Sequence, residues 1–135
     1  MPDTVTSFLE TVKLRRSIRD YSERPVPREM IDRCVEAAGY APTACNSQGW
    51  RFIVTEGPLR ERIVKECLGQ QPVKNRWAAK APLIVVIAFE RNIVTHRLGA
   101  WMRGIRYDLI DAGIAGEHFV LQAAELGLGT CWIGW

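Results

Sequence analysis

The sequence has few cysteines, no close cysteine pair and no long apolar run. Cys34, Cys45, Cys67 and Cys131 are scattered over 135 residues, which excludes both the spacing of a zinc site and the density of a disulfide-stapled secreted domain. The longest apolar run, Leu83 to Phe89, is far shorter than the roughly 20 residues that cross a bilayer. We therefore expect reduced thiols and no membrane partner.

The chain also lacks an apolar leader, a basic block and a chelating cluster. Its first residues, MPDTVTSFLETVKLRR, contain no signal core, which predicts a cytoplasmic location. The net charge is only +3, and the arginines are interspersed with Asp and Glu, so nucleic acid is not an expected partner. His96 and His118 stand apart from any matching carboxylates or cysteines, so neither a metal site nor a catalytic triad is expected.

What is present is the composition of an ordinary globular domain, with 47% hydrophobic and 24% charged residues. A chain of this length can bury a core without disulfides or metals. No repeat or convincing linker divides the sequence, and helical and strand patterns mix along it. We therefore expect residues 1–135 to form a single α+β domain.

Apolar residues recur at helical spacing in four segments that carry start and stop signals. In the third segment, the residues expected to face inward are Leu59, Ile63, Val64, Cys67 and Leu68. The predicted helices run from Thr4 to Leu14, from Pro27 to the stop signals Gly39 and Pro42, from Gly57 and Pro58 to Gly69, and from about Tyr107 to Leu126, before Gly127.

Three other segments predict strands. RFIVT is a short β-rich run that ends at Gly57. LIVVIAF shows no alternation and follows Pro82, which predicts a central strand buried on both faces. TCWIG is expected to begin a third strand. Residues 90–104 have no clear period and contain Trp101, which suits a mobile flap over a pocket.

The segment RRSIRDY is the first candidate for binding chemistry. It places Arg15, Arg16, Ser17 and Arg19 just after a helix, where guanidinium groups and a hydroxyl can converge on a phosphate dianion or a ring carbonyl. A short arginine cluster is also typical of a solvated surface. The segment alone does not decide between an anion site and a surface.

The segment APTACNSQGW is the second candidate. Thr43, Asn46 and Gln48 offer donors and acceptors suited to the edge of a uracil-like ring, beside the aromatic Trp50. The alternative is a polar loop between a helix and a strand, with a tryptophan in the core.

Together with the alanine-rich DAGIAGEHFVLQAAELGLGTCWIG, these segments stand in the order and approximate separation of the FMN-dependent nitroreductase family, which the chain resembles over nearly its whole length. The resemblance implies an α+β fold with a central, mainly antiparallel sheet flanked by helices. It also implies a homodimer with two FMN sites at the subunit interface.

The resemblance further implies which residues hold FMN. Arg15, Arg16, Ser17 and Arg19 would bind the phosphate and part of the ring from one subunit. Thr43, Asn46 and Gln48 would reach the same flavin from the other subunit. The backbone near Trp132, Ile133 and Gly134 would line the dimethylbenzene or N5 side of the ring.

The implied activity is a two-electron, ping-pong reduction of nitroaromatics, quinones or similar small acceptors, with NADH or NADPH as the transient hydride donor. The chemistry takes place on FMN, so no side chain is required as an acid or base. The alternatives are a related FMN enzyme of the benzimidazole synthase or reductive dehalogenase type, and a flavin-binding module without turnover.

Two positions depart from the family pattern. Gly49 replaces the usual proline, which is expected to loosen the polar loop. The sequence ends at Trp135, so the family's C-terminal strand and its arm around the partner are expected to be missing from this chain.

Overall fold

Helices and strands alternate along the computed structural model, which describes residues 7–69, 75–90 and 104–133. Short 3₁₀ or π turns cover Ala44–Asn46, Val64–Leu68 and Arg76–Lys80. The regular elements in chain order are α1 (Phe8–Leu14), α2 (Arg28–Gly39), β1 (Trp50–Thr55), α3 (Gly57–Ile63), β2 (Ile84–Phe89) and α4 (Tyr107–Glu125).

The helix ends follow from local chemistry. Ser7 and Glu10 form a capping box at the start of α1, in which each side chain accepts the other residue's backbone N–H. At the end of α4, Gly127 adopts a φ of 78°, and Leu128 N–H donates to the Ala123 carbonyl at 2.8 Å. The four predicted helices are thus confirmed within the described ranges, but two of their bounds differ. Ser7 is the extended N-cap of α1, so the predicted start at Thr4 is wrong. The third helix ends at Ile63 and is followed by the π turn Val64–Leu68, although it was predicted to run to Gly69. None of the helices in the described ranges is long and apolar enough to cross a membrane.

The two strands form an antiparallel pair in which Trp50 lies opposite Phe89 and Thr55 opposite Ile84. The Thr55 hydroxyl donates to the Ile84 carbonyl at 2.8 Å. The expectation that β2 is buried on both faces is wrong, because all of its residues are only half-buried. Within the described ranges β1 is its one paired neighbour, so β2 has neither a strand on its other side nor full cover on both faces.

A third strand does not form over the described part of TCWIG. Thr130 makes an isolated parallel bridge with Ser17, in which Ile18 N–H donates to the Thr130 carbonyl at 2.9 Å. Residues 131–133 have no regular structure. A strand is stabilised by a ladder of partners, and a single bridge does not supply one. The bridge nevertheless joins two of the segments chosen from the sequence.

The core lies between α2 and α4. Its buried members are Cys34, Ala38, Phe119, Val120 and Ala123. The ring of Phe52 from β1 stacks on Phe119 with 5.5 Å between centroids and 8° between planes, which joins the sheet to α4. Burial raises the pKa of the Cys34 thiol to about 11, so this cysteine remains protonated at neutral pH.

The apolar faces of α1 and α3 are less buried than the core between α2 and α4. The inward face predicted for the third helical segment is wrong at Leu59 in α3 and at Cys67 in the turn that follows it, since both residues are exposed. Leu68 at the end of that turn is buried. On α1, Phe8 is 76% exposed and Leu14 is 61% exposed. Amphipathic helices without an apolar partner leave a surface that favours association.

Candidate functional site

The arginine segment begins at the end of α1. Arg15 Nε lies 3.7 Å from Glu117 Oε1 on α4, and both side chains are partly exposed. The exposed Arg16 turns back on α1, donating to the carbonyls of Lys13 and Arg15. The two neighbouring guanidinium groups therefore face different partners, and Arg16 keeps donors on the surface.

Arg19 packs with aromatic residues. Its guanidinium carbon is 5.7 Å from the centroid of the Trp77 ring, within the range of a cation–π contact. Tyr21 packs beside the same ring at 6.3 Å, and burial raises the pKa of the Tyr21 phenol to about 12. An ion pair of 2.8 Å between Asp20 and Lys80 also joins the arginine segment to the turn that contains Trp77. Trp77 thus packs against both Tyr21 and Arg19.

The polar loop, residues 43–48, has an unusual backbone. Cys45, Asn46 and Gln48 have φ values of 52°, 53° and 45°, a left-handed conformation that costs non-glycine residues free energy. Thr43 Oγ1 accepts the Gln48 N–H at 3.2 Å, which closes the loop. As a result, the side chains of Asn46 and Gln48 are exposed.

Asp111 on α4 anchors this loop. Its Oδ1 and Oδ2 accept the Ala44 N–H at 3.2 Å and 3.1 Å, and the residue is 3% exposed. Asp111 was not predicted from the sequence. The available signal was a carboxylate at the start of the small-residue run DAGIAG.

Gly49 lies at the end of the polar loop, where other groups approach it closely. It is buried, and a Cβ at this position would lie 2.5 Å from the Glu90 carbonyl oxygen and 2.8 Å from the Phe89 ring. The Gly49 carbonyl also accepts the Glu90 N–H at 2.8 Å. Glycine therefore lets the end of the polar loop pack tightly against the end of β2, and the expected loosening of the loop stays a prediction.

Trp132 lies on α4. A Cβ at Gly116 would lie 2.7 Å from Trp132 Cζ2 and 2.9 Å from Ile87 Cδ1, so the glycine provides the space for the indole. The indole N–H donates to Glu117 Oε2 at 3.3 Å. At Gly116 the group that approaches the small-residue run of α4 is therefore this ring. Glu117 was also not predicted from the sequence as a residue of the site.

Three segments therefore contact one helix. Glu117 joins α4 to Arg15 and to Trp132, and Asp111 joins it to the polar loop. Ser17 is linked to Thr130 by the isolated bridge, so the arginine segment and residues 130–133 are neighbours. His118 is structural, since its Nδ1 lies 3.2 Å from the Ala37 carbonyl of α2.

A cleft with a volume of about 860 Å³ lies between β2, the inner face of α4 and residues 126–133. Trp132 and Ile133 line it, whereas Arg15, Arg16 and the polar loop do not. Within the described part of the chain, the candidate residues therefore do not enclose a single pocket. Gly134 and most of the predicted flap, including Trp101, lie outside the described residues.

A family model described as the nitroreductase family matches residues 12–135. The FMN reductase, NAD(P)H, of Bacillus subtilis is 33% identical over 140 aligned positions, covering 96% of this chain and 55% of the relative. The iodotyrosine deiodinase of Drosophila melanogaster is 31% identical over 150 positions, covering 93% of this chain and 52% of the relative. The chain thus spans about half the length of these two relatives.

A solved structure is similar as well. An FMN-dependent nitroreductase from Clostridium difficile R20291 has a TM-score of 0.73 and 32% identity, with 93% of this chain and 65% of that chain covered.

Proposed function

The chain belongs to the nitroreductase family and has its fold, and we propose that it acts as an FMN-dependent oxidoreductase. When bound, FMN supplies the two-electron chemistry between NADH or NADPH and a nitroaromatic, a quinone or a similar small acceptor. The observation that carries the proposal is that the arginine segment, the polar loop and residues 130–133 are all held by α4.

The side chains present fit the two ends of FMN. Arg15 and Arg16 offer guanidinium donors for a phosphate dianion. Asn46 and Gln48 are exposed amides that offer both donors and acceptors for the pyrimidine edge of the ring. In this proposal the arginines neutralise the phosphate, and the amides orient the ring. The nearby positive charge also favours an anionic reduced flavin.

We further propose that the site is completed by a second copy of the chain. The exposed apolar side chains of α1 include Phe8, Leu9 and Leu14, and those at the start of α4 include Leu109 and Ile110. Burying such a surface in a two-fold dimer would remove it from water. Each flavin would then receive arginines from one chain and the polar loop from the other. This arrangement explains why one chain does not enclose a pocket with both segments.

A reductive dehalogenase is the second candidate function. The similarity to an iodotyrosine deiodinase over 93% of the chain favours it. The two activities would share the same FMN site and differ in the acceptor. A halophenol and a nitroaromatic offered to the same reduced protein would separate them.

The decisive experiment is a flavin titration of the purified chain, followed by fluorescence quenching. We expect FMN to bind more tightly than FAD, because no adenosine pocket is recognisable in the sequence. Anaerobic addition of NADH or NADPH should bleach bound FMN, and an acceptor should restore its absorbance. Failure to bind FMN would overturn the proposal. Binding without bleaching by either donor would instead identify a flavin-binding module without turnover.

A further inference from the structure

We infer that Asp111 is a positioning residue, which holds the polar loop in the conformation that presents Asn46 and Gln48 to the flavin. The inference rests on the proposed function, because it concerns the same FMN site. Asp111 itself acts through the backbone of Ala44 and is not placed in contact with the flavin.

The geometry of Asp111 favours this role over that of a general core contact. Both carboxylate oxygens lie within 3.2 Å of the Ala44 nitrogen, and the side chain comes from a residue that is 3% exposed. Hydrogen bonds to a buried carboxylate are stronger than those between neutral groups. The contact fixes the first residue of the short 3₁₀ turn Ala44–Asn46, at the point where the backbone enters its left-handed conformation.

The backbone of the loop shows why an anchor is required. Three of its non-glycine residues, Cys45, Asn46 and Gln48, have positive φ. Such residues persist only where the surroundings determine the conformation, because each costs on the order of 1 kcal/mol or more. An unanchored loop would relax toward ordinary φ values, and the two amide side chains would then point elsewhere.

Three tethers hold the loop in this state. Asp111 binds Ala44 at its start, Thr43 Oγ1 accepts the Gln48 N–H across it, and Gly49 pairs with Glu90 at its end. The Thr43 tether is internal to the loop, and the Gly49 tether fixes only its exit to the sheet. Asp111 therefore provides the connection between the loop and α4, the helix that also contacts Arg15 and Trp132.

Asp108 supplies a matched control. It lies one turn earlier on α4 and is 5% exposed, and its carboxylate pairs with Arg106 at 2.7 and 2.8 Å. Removing either carboxylate deletes a buried charge from the same helix. Of these two carboxylates, only that of Asp111 hydrogen-bonds to the polar loop within the described part of the chain.

The experiment compares Asp111→Ala, Asp111→Asn and Asp108→Ala with the unchanged chain. Thermal unfolding, FMN affinity and backbone hydrogen exchange over residues 43–48 are measured for each. We expect Asp111→Ala to weaken FMN binding by roughly tenfold or more, the loss of one charge-assisted hydrogen bond, and to accelerate exchange in the loop. Asp111→Asn retains one acceptor oxygen and should restore part of both properties. Asp108→Ala should lower the unfolding temperature and leave FMN affinity and loop exchange nearly unchanged.

Each outcome bears on a different statement. Equal loss of FMN affinity in Asp111→Asn and Asp108→Ala would overturn the inference, because the effect would then follow general destabilisation. Unchanged loop exchange in both Asp111 variants would overturn it as well. If the unchanged chain does not bind FMN, the proposed function fails, and the exchange measurement still decides whether Asp111 holds the loop. If Asp111→Ala does not fold, Asp111→Asn provides the same comparison.

Discussion

The Trp132 indole N–H donates to Glu117 Oε2 at 3.3 Å while its ring covers Gly116 one residue earlier on the same helix. A single turn of α4 thus contacts the indole both at its nitrogen and at its six-membered ring. Since Glu117 also lies 3.7 Å from Arg15, the position of Trp132 is connected to that of the proposed phosphate site.

Gly116→Ala is expected to destabilise the fold by about 1 to 3 kcal/mol, since the added methyl overlaps the indole of Trp132 and forces it away. Gly113→Ala is the matched control on the same helix, because a Cβ there meets no atom within 4 Å. It should stabilise the helix by up to about 1 kcal/mol. Urea unfolding measures both. Equal effects of the two substitutions would contradict the packing of Trp132 on Gly116.

Glu117→Gln is expected to tighten FMN binding. The substitution keeps an acceptor for the Trp132 indole and removes the carboxylate that competes with a phosphate for Arg15. Because both side chains are partly exposed, the gain should be modest, roughly twofold to fivefold at low salt. Fluorescence titration at two salt concentrations measures it. Weaker binding by Glu117→Gln would show that the carboxylate orients Arg15 rather than competing for it.

Asp108→Asn is expected to destabilise the protein at neutral pH and to have little effect in acid. Contact with Arg106 lowers the pKa of the Asp108 carboxyl below its usual value. The stabilisation is therefore complete above about pH 5 and is lost as the pH falls through the folded-state pKa. Unfolding curves from pH 7 to pH 3 should converge for the two proteins. The exposed pair of Arg28 and Asp32 provides a control, since Asp32→Asn should change stability little at either end of this range.

The shared site can be tested with a mixed dimer of Arg15→Ala and Gln48→Ala chains. Each variant alone should have two impaired sites. In the mixed dimer one site would receive both defects and the other none, because in the proposed dimer each site would take its arginine and its glutamine from different chains. Differently tagged chains allow the mixed dimer to be isolated, and bound FMN and NADH oxidation can be counted. Activity no better than that of either parent would contradict a site built from both chains.

The helices were predictable because their signals are local. Ser7 and Glu10 cap α1 through residues three positions apart, and Gly127 ends α4 at the position where a left-handed residue is needed. The pair of strands was predictable from its β-branched residues. Full burial of β2 was not, because burial depends on which layers cover a strand and these are not encoded in the strand itself.

The candidate site was only partly predictable. Asn46 and Gln48 could be chosen for their amide groups, and Arg15 for its charge. Their partners could not be identified, because Asp111 lies 67 positions from Ala44 and has no local pattern that connects it to the loop. The close packing at Gly49 was missed in the same way, since its close neighbours, the carbonyl of Glu90 and the ring of Phe89, are distant in the sequence.

The sequence by itself determined the helices, the pair of strands and the family to which three ordered segments point, but its third strand does not form in the described residues. Only the tertiary structure decided that α4 holds those segments, with Asp111 on the loop and Glu117 between Arg15 and Trp132. The physical reason is the sequence separation over which each kind of interaction acts. Caps and periodicity act over a few residues, whereas a buried carboxylate or a glycine under an aromatic ring acquires its role from groups that the folded chain brings together.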